Sequence, residues 1–218
     1  LIMRPTYSKL LYEGEDKNFL SENLRQLFYF GIPIVSLVIV FAQPGLFILN
    51  PLYELAVPIV IIMAVQVFLG VMNRNFQEMI TGIDKVDMDK NSTFKDFVKS
   101  KLFFMPTLLL IRNVVYVISL TIGLFLFLSN SLIEQLIFWA LISLFAQIPF
   151  TIYVYLVMKK ELKTLLDSKT IFKYLIVSFF SFGISYLLMQ QFLVYVNNVV
   201  TFIPNLLLFV GLGIGLYF

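Results

Sequence analysis

Arg112 has the sharpest chemical meaning in this chain, because it falls ten residues past Leu102, where a long apolar run opens. At a rise of about 1.5 Å per residue, its guanidinium lies roughly 15 Å deep, near the middle of a hydrocarbon layer about 30 Å thick. A charge at that depth costs about 2.5–3.5 kcal/mol on insertion scales. Arg112 is therefore expected to face a polar cavity or a partner, with Asn113 beside it. Two readings stay open. One is a structural contact to a carbonyl or an acid on another helix. The other is anion binding, since guanidinium pairs phosphate oxygens in bidentate fashion. Under the second reading, Arg112 and Asn113 are the substrate-binding candidates.

Other chemistry is thin. The chain has no Cys and no His, which removes disulfides, thiolate chemistry, histidine metal sites and histidine acid–base catalysis. Asp84, Asp87 and Asp89 are the nearest thing to an acidic cluster, but they alternate with Lys85 and Lys90, as in a solvated loop. No nucleophile–base pair, metal-ligand cluster or phosphate-cradling loop emerges. The expectation is a protein that is not an enzyme, with no catalytic residue, cofactor or metal and no nucleic-acid partner. No acid shares the depth of Arg112: Glu54 and Glu134 fall at the outer edge and Glu78 at the inner edge. Proton or sodium relays usually need an embedded carboxylate, so no cation-coupling site is evident. Gln43, Gln66, Gln147, Asn197, Asn198 and Asn205 suit either a hydrated path or, for most of them, hydrogen bonds between helices. Gly211, Gly213 and Gly215 form a small-residue packing patch.

The elements that must position these residues are membrane helices. The chain is 60% hydrophobic and 13% charged, against roughly 45–50% and about 25% in a soluble domain. Its apolar residues come in six runs, at 27–49, 55–72, 102–128, 132–158, 171–189 and 192–218. Each is long enough to cross a bilayer, and none alternates as a barrel strand would. The fold class is thus all-α, a polytopic helical membrane protein with about six transmembrane helices. Residues 1–26 form a loop and amphipathic lead-in, and 27–218 form the transmembrane bundle, with longer connections at 73–101 and 159–170. Residues 1–3 read like the tail of an earlier span and Phe218 falls inside an apolar run, so a fragment of a longer protein is expected. Pro33, Pro44, Pro58, Pro106, Pro149 and Pro204 lie in or at the ends of spans, where each frees a backbone carbonyl and permits a kink.

Orientation follows from the basic residues. Every Lys and Arg except Arg112 falls before the first run, between the second and third, or between the fourth and fifth together with its margin. The opposite connections, at 50–54, 129–131 and 190–191, contain none. By the positive-inside rule the basic side is cytoplasmic, in the cell (plasma or cytoplasmic) membrane, with both visible ends at that face. The Asn91-Ser92-Thr93 sequon then stays unglycosylated; Ser92 or Thr93 instead caps an amphipathic helix over 94–101.

Several stretches carry a family resemblance. They include Pro5-Thr6-Tyr7-Ser8-Lys9-Leu10 with Gly14-Glu15-Asp16, and the amphipathic lead-in 19–28 running into Gly31-Ile32-Pro33. They continue with Gln43-Pro44-Gly45-Leu46-Phe47-Ile48-Leu49, Tyr53-Glu54-Leu55-Ala56 and Pro58. Gly70 and Ile80-Thr81-Gly82-Ile83-Asp84-Lys85 complete the set. This portion resembles the C-terminal half of Wzx-type polysaccharide flippases, in the multidrug/oligosaccharidyl-lipid/polysaccharide exporter superfamily. The shared pieces lie within residues 4–85; beyond them only span count, pairing and orientation agree. The resemblance implies the last six spans of a fourteen-helix transporter, that is, one lobe of a two-lobed alternating-access machine. It implies as partners membrane lipid, a lipid-linked anionic saccharide as substrate, and a missing N-terminal lobe packed against this part. The last two spans would border a groove for the lipid tail. A cation-coupled exporter of the same superfamily, a membrane-embedded transferase and a purely structural subunit are the competing expectations.

Overall fold

The computed structural model describes residues 17–82, 84, 86, 91–126, 131–162, 167–195 and 199–218, with side chains at all of these except 17–19 and 162. The described residues form helices joined by short links and contain no strand. They are α1 (Lys17–Leu49), a 3-10 turn (Pro51–Ala56), α2 (Val57–Gly82), α3 (Phe94–Lys99), α4 (Lys101–Leu126), α5 (Leu132–Leu162), α6 (Ser168–Phe192) and α7 (Val199–Tyr217). Six segments are long and apolar enough to cross a membrane, with lengths from 19 to 32 residues. In hydrocarbon every backbone donor and acceptor must be satisfied within the segment, and the helix does this for runs of such length. The chain is a multi-pass helical membrane protein.

Several boundaries differ from expectation. α2 continues through Gly82, ten residues past the span end expected at 72, so the connection expected to open at 73 is helical as far as 82. Gln190 and Gln191 do not link spans: α6 continues through Phe192, and α7 opens at Val199. The reason is local satisfaction, since Gln190 Nε2 donates to Tyr186 Oη one turn back (2.6 Å) and Leu193 N–H donates to Met189 O. The amphipathic segment is also shorter than 94–101, because Ser100 is extended and separates α3 from α4. Residues 1–16, Lys85, Lys90, Asp87, Asp89, Lys163, Asn197 and Asn198 lie outside the described residues.

Caps mark the membrane-surface ends. Thr93 and Asp96 form a reciprocal capping box on α3. Asp167 caps α6 by accepting from Lys169 N–H (3.1 Å) and from the Thr170 hydroxyl. Hydrogen bonds from Thr93 hold the Asp96 carboxyl below its ordinary range, and bonds from Thr170 do the same for Asp167. A depressed carboxylate stabilises the fold at every pH above its unfolded value. That contribution fades as acid titrates the carboxyl through its lower folded value.

The chain divides into two compact units. One comprises Leu1–Asn23, Leu69–Asn130 and Leu141–Leu165; the other comprises Leu24–Phe68, Ser131–Ala140 and Leu166–Phe218. In the first, α2 buries Asn73, Phe76 and Ile80, while α5 buries Gln147, Phe150, Thr151, Val154 and Met158. Spacings of three, four and seven put each set on one helical stripe. Phe76 and Tyr155 join the two stripes at 5.9 Å between ring centroids.

In the second unit α6 presents small polar residues where neighbours approach. Ser178 Oγ donates to Ser36 Oγ of α1 (2.8 Å), and Ser185 Oγ donates to Phe209 O of α7 (2.7 Å). Small residues allow such approach in membrane bundles, where van der Waals packing replaces the hydrophobic effect. Phe41, Phe182, Met189, Phe202 and Leu206 fill the space around them. Of the expected glycine patch, Gly213 alone packs tightly, against Phe182; Gly211 and Gly215 face open space. Tyr217 Oη donates to Tyr29 O (2.9 Å), tying the end of α7 to α1.

Candidate functional site

The membrane-embedded polar groups of the first unit converge on one seam. Arg112 is the twelfth of the 26 residues of α4, so it stands at mid-span as its place in the sequence requires. Its Nη1 donates to the side-chain oxygen of Gln147 on α5, and its guanidinium carbon lies 5.4 Å from the centroid of the Phe150 ring. Gln147 and Phe150 are three positions apart, so both project from one face of α5 and meet the guanidinium together. One turn further along, the Thr151 hydroxyl donates to Gln147 O (2.8 Å) and accepts from Asn73 Nδ2 of α2 (2.7 Å). The seam therefore joins α4, α5 and α2 through four residues, of which Asn73 (2% exposed) and Gln147 (4%) are sealed from the surroundings.

Charge makes the seam unusual. Among the described residues no carboxylate pairs with Arg112; the ion pairs Arg74–Glu78 (3.2 Å) and Lys101–Glu161 lie outside the seam. Two of its atoms, Arg112 Nε and Asn73 Oδ1, are buried and make no hydrogen bond among the described residues. A donor and an acceptor are thus left over in a low-dielectric setting, where an unmet polar group is expensive. Chemically the seam can offer a cation and N–H donors to an anion, and a carbonyl to a hydroxyl.

The depth of α4 is fixed at its start. Asp84, in the link after α2, accepts hydrogen bonds from Lys101 N–H (2.6 Å) and Leu102 N–H (3.4 Å). The negative carboxylate satisfies orphan donors at a helix N-terminus and complements its dipole. Asp84 is therefore not a freely solvated loop residue, as its alternation with lysines suggested; it is a cap acting across 17 positions of chain.

Placement of the other expected residues is mixed. Arg112 makes the first kind of contact considered for it, to a carbonyl on another helix. Asn113 does not join it. Adjacent helical residues point about 100° apart, and Asn113 is exposed while Arg112 turns to α5. Gln43 and Asn205 are exposed, Gln66 is half-buried, and Gln147 alone of this group enters the seam. Asn73 and Thr151 were not anticipated. The four-residue spacing of Gln147 and Thr151 in an apolar run was the available signal. No group of three His, Cys, Asp or Glu side chains placed to hold a metal occurs among the described residues.

No protein-family model, curated protein or solved structure matches this chain. Fold and site together define a class, a multi-pass helical membrane protein with an arginine set among neutral groups at mid-span.

Proposed function

We propose that this chain is the six-span portion of a transporter that flips lipid-linked anionic saccharides across the cytoplasmic membrane. Its lysine-rich links face the cytoplasm, and a further lobe of the same protein packs against it. The observation that carries the reading is the pairing of Arg112 with a neutral amide and an aromatic face instead of an acid. A cation compensated in that way stays attractive to an incoming phosphate. A carboxylate partner would already have neutralised it. Gln147 is then a ligand of Arg112 that an anionic oxygen of the headgroup displaces. Alternating access by rocking of helical lobes supplies the movement, and the prolines within α1, α4, α5 and α7 supply bending points.

The experiment is transport of a lipid-linked oligosaccharide into proteoliposomes by the full-length protein. Arg112→Ala is expected to abolish transport while the amount of folded protein in the membrane holds. Transport at the parental rate would take Arg112 out of the mechanism. The same contact also supports a second reading, in which Arg112 is a helix–helix staple with no ligand. That reading requires Arg112→Ala to lower folded yield and transport in proportion.

A further inference from the structure

We propose that α4 is a self-association surface, through which two copies of this chain pair side by side in the membrane. The contact is a stripe of Leu110, Asn113, Val117, Leu120 and Leu124. The inference does not rest on the transport reading.

It begins with Asn113, the thirteenth residue of a 26-residue span and hence at its centre. The side chain is exposed, and no described residue hydrogen-bonds it. A carboxamide carries two N–H donors and an acceptor, and in hydrocarbon nothing else can satisfy them. Thr107 and Thr121 on the same helix bond back to their own carbonyls, of Phe103 and Val117 (2.8 Å each). Asn113 makes no such bond. Its partner must come from outside the described fold.

The chemistry selects a second copy. Two copies of one chain insert with the same orientation, so their Asn113 residues reach the same depth. Each carboxamide is donor and acceptor at once, so the pair satisfies itself across a twofold axis normal to the membrane. An unrelated helix would have to present a polar group at that depth independently. The spacing supports this choice: the stripe steps by three and four residues, the seam pattern of a two-stranded left-handed helix pair. Leu110 (63% exposed) and Val117 (55%) flank Asn113 as bare positions, and Leu120 and Leu124 continue the stripe half-buried. The neighbouring stripe Ile111, Val115, Ile118 and Ile122 is equally bare, at 53–58%. It is wholly apolar, which suits lipid. Arg112 turns away to Gln147, so no charge stands in the contact.

The chain has no cysteine, so single-cysteine cross-linking in membranes reads the surface directly. The full-length protein carrying Leu110→Cys, Val117→Cys or Leu124→Cys is oxidised with copper phenanthroline. Ile111→Cys, Val115→Cys and Ile118→Cys serve as controls. Disulfide-linked dimers are expected at the first three positions and not at the controls. Asn113→Ala should weaken dimerisation roughly three- to tenfold, the loss of the two hydrogen bonds of the symmetric pair, whereas Asn113→Gln should retain it. Absence of cross-linking on the stripe would overturn the proposal, as when another helix covers it. So would equal cross-linking at the controls, or a dimer indifferent to Asn113→Ala.

Discussion

Gln147→Leu is expected to destabilise the folded protein by about 1.5–3 kcal/mol, the range for losing a hydrogen bond to a charged group. Among the described residues Gln147 provides the hydrogen-bond acceptor for Arg112, and no carboxylate pairs with it. Interhelical hydrogen bonds between neutral groups in membranes average nearer 0.6 kcal/mol, because the unfolded helices also find partners. A guanidinium at mid-span is the exception: few groups at that depth can take it over. The reverse substitution has the opposite sign. Arg112→Leu removes a charge costing about 2.5–3.5 kcal/mol at the bilayer centre. It is therefore expected to leave stability unchanged or raise it, although the proposed transport would be lost. In Gln147→Leu/Arg112→Leu the penalty of the first change should disappear, because no charge remains to be stranded. Unfolding in mixed detergent micelles across this double-mutant cycle measures the coupling. Strictly additive single changes would show that Gln147 does not hold Arg112.

Gly31→Ala should cost a further about 1–3 kcal/mol, the range for overpacking. A Cβ built at Gly31 would lie 2.3 Å from Cε2 of Phe68, where α1 and α2 touch. The Phe68 ring also packs edge-on against Phe28, at 5.9 Å between centroids, so swinging aside costs that contact. Elsewhere in a helix the same substitution stabilises, by about 0.8–1.0 kcal/mol from propensity. Gly45 and Gly70 supply that control, since a Cβ at either meets nothing within 4 Å. Gly31→Ala should thus lower the unfolding midpoint while Gly45→Ala and Gly70→Ala hold or raise it. Pairing Gly31→Ala with Phe68→Leu should recover most of the loss. Equal behaviour of the three glycines would refute the close approach.

The spans were legible because length and hydropathy are properties of the chain in one dimension. All six apolar runs return as helices long enough to cross a membrane. The misplaced link at Gln190 shows where that signal ends. A polar residue breaks a hydropathy run, yet it stays in the helix once a side chain one turn away accepts its hydrogen bond. Arg112 was legible as an anomaly of depth, but its partner stands 35 positions away on another helix. Nothing in local spacing points from one to the other. Asn113 was grouped with Arg112 through adjacency, which on a helix separates side chains. Asp84 was misread for a related reason, since capping across 17 positions leaves no trace in an alternating Asp/Lys stretch. The buried serines of α6, Ser178, Ser181 and Ser185, repeat at three and four residues. That periodicity was available and marks a helix–helix contact.

The central claim is that six helices cross the bilayer in turn, with their lysine-rich links on the inner side. Labelling of single cysteines by a membrane-impermeant maleimide in intact cells tests it most directly. Cysteines at Tyr53→Cys, Ser131→Cys and Val194→Cys should react from outside. Those at Lys95→Cys and Lys169→Cys should react only after permeabilisation. Labelling of Lys95→Cys or Lys169→Cys in sealed cells, or a split among the first three, would contradict the crossing pattern.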